Sequence, residues 1–173
     1  MRKWKRDLLR LRQKTKQERN RIDMTSQTLR EARKYEEASE KMIKQEERPD
    51  FHLSVRTGWM NDPNGFSYYN GQYHLFYQYN PYAPRWDSMH WGHAVTKDFL
   101  HWDYLPAALA PDEAYDRDGC FSGSALTLPD GRQLLMYTGV LRERKENGEH
   151  CDTQTQCLAV GDGVDYEKYE MNP

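Results

Sequence analysis

Residues 66–80 read Phe66-Ser-Tyr-Tyr-Asn-Gly-Gln-Tyr-His-Leu-Phe-Tyr-Gln-Tyr-Asn80, and this stretch decides the fold. Two runs rich in aromatic residues meet across Asn70-Gly71, a pair that accepts positive φ at both positions and so predicts a two-residue hairpin. Asn80-Pro81 closes the second run. Strand alternation puts Gln78 on the same face as His74 and Phe76.

Working outward, Trp91–Thr96 and His101–Tyr104 form a second pair of runs, separated by Lys97-Asp-Phe-Leu100. That makes four predicted strands in about 40 residues. A second group follows. Cys120–Leu128 pairs with Gln133–Gly139 across Pro129-Asp-Gly131, and Thr155–Val160 and Tyr166–Tyr169 flank Gly161-Asp-Gly163. Four-stranded units repeating every 45–50 residues or so predict propeller blades. A propeller needs at least four blades, and two are visible. The expected fold is therefore all-β: the first two blades of a partial β-propeller over 49–173, preceded by an N-terminal helical segment. The chain stops at Met171-Asn-Pro173, where an inter-blade connection is expected, so it reads as an incomplete propeller.

Residues 1–48 read as a basic helical leader with 16 Lys/Arg and 9 Asp/Glu. Thr28-Leu-Arg-Glu31 has the capping-box pattern. Leu29, Ala32, Tyr35, Ala38 and Met42 then form an apolar stripe, and Arg48-Pro49 ends the helix. Met1-Arg-Lys-Trp-Lys-Arg6 opens like a signal peptide, but no apolar core follows it. Met24 offers a second start, so residues 1–23 are expected to be an upstream extension.

Residues 49–173 hold 9 Lys/Arg and 18 Asp/Glu, an acidic balance that argues against nucleic acid as the ligand. No apolar run approaches the roughly 20 residues of a membrane span. The three cysteines, Cys120, Cys151 and Cys157, are an odd number with no export signal. They predict reduced thiols, in the core or on the surface, and a cytoplasmic location.

The candidate chemistry lies in Trp59-Met-Asn-Asp-Pro-Asn-Gly-Phe66. One carboxylate, Asp62, sits between the amides Asn61 and Asn64, with Trp59 and Phe66 flanking. Pro63 stiffens the backbone and Gly65 bends it, so the predicted setting is a rigid turn. Such an acid can attack or stabilise an oxocarbenium-like centre, amides can grip hydroxyls, and an indole can pack on a sugar ring.

Four blocks together resemble glycoside hydrolase family 32, the invertase, sucrose-6-phosphate hydrolase and fructan hydrolase group. They are residues 59–65, residues 71–81, Met89–Asp98 with His101-Trp102, and Phe121–Ala125. The resemblance is nearest to the cytoplasmic bacterial members. It implies a five-bladed propeller followed by a β-sandwich, and a retaining reaction on the β-D-fructofuranoside bond of sucrose, sucrose 6-phosphate or a short fructan. It makes Asp62 the catalytic nucleophile. Trp59, Met60, Asn61, Gln78, Trp86, Phe121 and Ser122 become the substrate-binding set. His90 is a further pocket candidate, while Trp91, His93, His101 and Trp102 are expected to be structural, with buried imidazoles. No metal and no organic cofactor is expected, because acid–base glycoside hydrolysis needs neither. Arg85, Arg117 and His90 are the candidates for a phosphate contact.

The family also uses the Glu of a Glu-Cys block as general acid and the Asp of an Arg-Asp-Pro block to stabilise the transition state. Neither block occurs in the 173 residues. The chain alone is therefore expected to be a truncated, nearly inactive β-fructofuranosidase. The alternatives are a non-catalytic sugar-binding remnant, or a basic helical arm for nucleic acid or a protein partner.

Overall fold

The computed structural model describes residues 25–146 and 148–171. Eight strands form two four-stranded antiparallel sheets, each with its strands in sequence order. The first sheet contains β1 (Trp59–Tyr69), β2 (Gln72–Asn80), β3 (His90–Thr96) and β4 (Asp103–Leu109). The second contains β5 (Cys120–Thr127), β6 (Gln133–Arg144), β7 (His150–Gly161) and β8 (Tyr166–Glu170). Asn70 and Gly71 have φ of 48° and 83°, as the β1–β2 hairpin requires.

Period-two alternation along β2 sorts the aromatics onto two faces. Phe76 points at the second sheet. There it joins Trp91, Leu109, Cys120, Leu135, Tyr137 and Tyr166 in the core between the sheets. Tyr77 and Tyr79 point the other way, into a cluster with Leu29, Ala94, Ala107 and Ala110.

Leu29 belongs to α1 (Gln27–Glu40), which lies on that outer face. The helix ends at Glu40 rather than at the expected Arg48, and the basic opening and the 1–23 extension fall outside the described residues. Its cap is Ser26, whose hydroxyl accepts the Leu29 N–H at 3.0 Å. Thr28 is already inside the helix, so the Thr28–Glu31 capping box does not form. Ser26 wins because its oxygen reaches the third helical N–H, an otherwise orphaned donor. The apolar stripe also stops early. Leu29 and Ala32 are buried, but Met42 is 82% exposed. In place of more apolar contact, α1 buries Glu36, which accepts from Arg56 at 3.1 Å and from the Ala107 N–H at 2.9 Å. Burial pushes the Glu36 carboxyl up, against the pull of Ala107 and Arg56. After Glu40 the chain leaves the sheet, and only a short 3₁₀ turn, Gln45–Glu47, follows.

The β3–β4 connection also differs from the expected pairing. Asp98 Oδ1 accepts the N–H groups of Leu100 and His101 at 2.9 and 2.8 Å, which fixes a side-chain-closed turn and delays β4 to Asp103. His101 is consequently exposed rather than buried, and its Nδ1 lies 2.7 Å from Asp98 Oδ2. Cys120 and Cys157 are buried free thiols and Cys151 is exposed.

Candidate active site

Asp62 does not sit in a turn. It lies within β1, where the ladder slips between Met60 and Pro63, so that Asn61 and Asp62 together face Gln78 alone. This is a β-bulge, which re-aims the side chain it carries. A second slip in β1, between Asn64 and Ser67, sets Gly65 and Phe66 against Leu75. Pro63 is tolerated because β1 is an edge strand with a neighbour on one side only. Gly65, at φ 51°, is required by space as well: a Cβ there would lie 2.8 Å from the Phe76 ring.

The second sheet repeats the device on its own first strand. The ladder of β5 slips between Phe121 and Ser124, so Ser122 and Gly123 face Tyr137. The two bulges meet. Ser122 Oγ lies 3.5 Å from Asp62 Oδ2, and the Gly123 N–H donates to Asn64 Oδ1 at 3.3 Å. Gln78, buried opposite the first bulge, donates from Nε2 to Cys120 O at 2.9 Å and so ties β2 to the start of β5. Trp91 Nε1 donates to Phe121 O at 3.2 Å, and Thr138 Oγ1 to Ser122 O at 3.3 Å. The strand bearing Ser122 is thus held from both sides.

Around the exposed Asp62 carboxylate, the Trp59 indole donates to Asn61 Oδ1 at 2.9 Å, leaving the Asn61 amide nitrogen to act as a donor. Trp86, in the loop between β2 and β3, is 48% exposed and meets Phe121 edge-on, with ring centres 6.0 Å apart. Asp62, Asn61, Trp59, Ser122, Phe121, Trp86 and Gln78 therefore form one connected group on the first strands of the two sheets and their adjoining loop. Met60 is placed apart from them: its side chain packs on the Tyr77–Tyr79 cluster under α1. His90 is also apart. It is buried, its Nδ1 donates to Ser88 O, and Asp112 and Lys168 are its charged neighbours. Burial lowers its pKa to about 4. Of the phosphate candidates, Arg85 faces Asp87 at 3.9 Å and Arg117 faces Asp118 at 3.4 Å.

Asn64, read from the sequence as an amide beside Asp62, bridges the two bulges through its side chain. Two residues at this site escape sequence reasoning: Arg142 and Asp152 stand behind Trp86. The Arg142 guanidinium is 5.9 Å from the Trp86 ring centre. The Leu141-Arg-Glu-Arg144 stretch has the texture of a wet strand end, and nothing in its spacing signals an aromatic partner 56 positions upstream.

A model of the Glycosyl hydrolases family 32 N-terminal domain matches residues 52–173. The chain belongs to glycosyl hydrolase family 32. Among curated family 32 relatives, it is 46% identical over 132 residues to a sucrose-6-phosphate hydrolase of Zymomonas mobilis, covering 76% of this chain and 25% of that protein. It is 49% identical over 121 residues to a raffinose invertase of Escherichia coli, covering 69% and 25%. The chain thus spans about a quarter of the length of these curated relatives. The solved structure of the Bombyx mori GH32 beta-fructofuranosidase superposes with a TM-score of 0.72 at 43% identity, over 83% of this chain and 30% of that one. A mutant of that enzyme has been solved in complex with sucrose, with the same TM-score at 41% identity.

Proposed function

We propose that the family 32 site on this chain cleaves the terminal β-D-fructofuranoside bond of sucrose or sucrose 6-phosphate, with Asp62 as nucleophile. The observation that carries this reading is the placement of Asp62: an exposed carboxylate on a bulge, with a hydroxyl, an amide and two indoles gathered around it. The Bombyx mori relative solved in complex with sucrose supports a sugar ligand for this family.

In this mechanism an Asp62 oxygen attacks the anomeric carbon C2 of the fructosyl unit. The C2–O bond to the leaving sugar breaks, and a carboxylic acid donates its proton to the departing oxygen. Water then attacks C2 of the fructosyl ester, the second carboxylate takes its proton, and Asp62 is released. Asn61 and Ser122 hold fructose hydroxyls, while Trp59, Trp86 and Phe121 form apolar walls. Gln78 fixes the floor. The proton donor has to come from residues other than these 173, because no Glu-Cys block is among them. The 173 residues alone therefore turn over little or no sucrose.

The two sheets are the first two blades of a five-bladed propeller in this reading. The exposed aromatics Phe66, Tyr68 and Phe99 lie on the side of the first sheet away from the second, where a closing blade belongs. The free buried thiols of Cys120 and Cys157 suit a reducing setting such as a cytoplasm. The deciding experiment expresses the natural protein that carries this chain and measures fructose release with Asp62 intact and with Asp62→Ala. Equal rates would end the proposal.

A further inference from the structure

One wall of the candidate site is built from charge rather than from apolar contact. Arg142, on β6, lies 5.9 Å from the Trp86 ring centre. It is held there by a fork of two parallel hydrogen bonds to Asp152 on β7: Nε to Oδ1 and Nη2 to Oδ2, each 2.8 Å. Its backbone N–H donates to Asp118 Oδ2 at 2.8 Å, so the linker ahead of β5 is pinned to the same point. Trp86 in turn touches Phe121, whose neighbour Ser122 faces Asp62. A continuous line of contacts runs from the acid at position 62 to Arg142, and it leads away from Gln78 and the site floor.

We propose that Arg142, fixed by Asp152, determines specificity on the leaving-group side of this site, and that the pair selects an uncharged leaving sugar, so that sucrose is preferred to sucrose 6-phosphate. The inference rests on the fructosidase reading of Asp62. A guanidinium binds phosphate strongly through its planar fork. In this structure one fork edge is already occupied by Asp152 and one face is turned to Trp86. A phosphate could claim that edge only by displacing the carboxylate. The Arg142 charge is already matched by Asp152, with Asp118 accepting its backbone N–H, so little positive charge is left for a dianion. Among the described residues, the fork to Asp152 uses Nε and Nη2, so Nη1 can donate to a hydroxyl oxygen of a neutral sugar, and the indole offers a surface for its ring. The pairing also holds the Asp152 carboxyl below its ordinary range, so the pair stays ionised at neutral pH.

The test uses the natural protein that carries this chain. Fructose release is measured with sucrose and with sucrose 6-phosphate, and kcat/KM is compared for wild type and for Asp152→Asn. The wild type is expected to favour sucrose by more than about tenfold. Asp152→Asn removes one negative charge and frees the fork, and should move the ratio about tenfold toward the phosphate. A wild type that favours sucrose 6-phosphate overturns the inference without reference to any variant's folding, and so does an Asp152→Asn enzyme with an unchanged ratio. Failure of the wild type to release fructose from either sugar is a separate outcome, which removes the fructosidase reading and this inference with it.

Discussion

Ser122 and Asp62 occupy matching bulges on the first strands of two adjacent sheets, with the hydroxyl 3.5 Å from the carboxylate. A bulge re-aims the side chain it carries, and here both are aimed at the same place. On the proposed mechanism, Asp62→Asn removes the covalent nucleophile and should lower fructose release by the natural protein by more than about 10³-fold. Ser122→Ala should cost about tenfold, the order of one hydrogen bond to a charged group. Steady-state assays of both variants, with melting temperatures as a folding control, check the ranking.

The close approach of the bulges has a steric condition. A Cβ on Gly123 would lie 1.8 Å from the Met136 carbonyl oxygen, a backbone atom that cannot swing aside. Gly123→Ala should therefore destabilise the fold by about 1–3 kcal/mol, measured by chemical denaturation. Gly131→Ala is the comparison. There a Cβ meets nothing within 4 Å, so only the strain of φ 85° remains.

The helix α1 is attached through a buried ion pair as much as through apolar contact. Glu36→Ala would leave Arg56 without that carboxylate and the Ala107 N–H without its acceptor. A loss of about 3–5 kcal/mol is expected. Thermal melting and protease cleavage within Gln27–Glu40 should both report it.

Stability should fall in acid. His90, His74 and His93 are buried, and burial lowers the pKa of each, with His74 acting on His93 as a further cause. His74 Nδ1 and His93 Nε2 are 2.9 Å apart and share one proton. Between the ordinary value of 6.5 and the folded value, the unfolded chain binds more protons, so stability is full above pH 6.5 and is lost as pH drops toward about 4. His90 alone accounts for about 3 kcal/mol across that window. Denaturant midpoints between pH 7.5 and 4.5 should decline accordingly, and His90→Gln should flatten the slope.

Most of the strands were legible because their signals are local. Asn70-Gly71 admits positive φ at both positions, and β2 alternates cleanly between two buried faces. The candidate residues were legible, and the structure gathers them except Met60 and His90, but their geometry was not. Asp-Pro-Asn-Gly suits a turn, and only pairing with β2 draws it into a bulged strand. His101 reads as a core imidazole beside Trp102, yet Asp98 captures it on the surface. Arg142 carried no signal because its partners Trp86 and Asp152 are brought to it by tertiary pairing. The helix was overextended for a related reason: its stripe continues in sequence to Met42, but the sheet beneath it does not.

Placing the Asp62 and Ser122 bulges on edge strands has a consequence for how such a site can change. Each distortion is paired with a single partner strand, and the next ladders, β2–β3 and β6–β7, run without a slip. New side chains can therefore be tried at the rim with little penalty to the scaffold beneath. A rim built this way can change its side chains while the interior stays nearly constant.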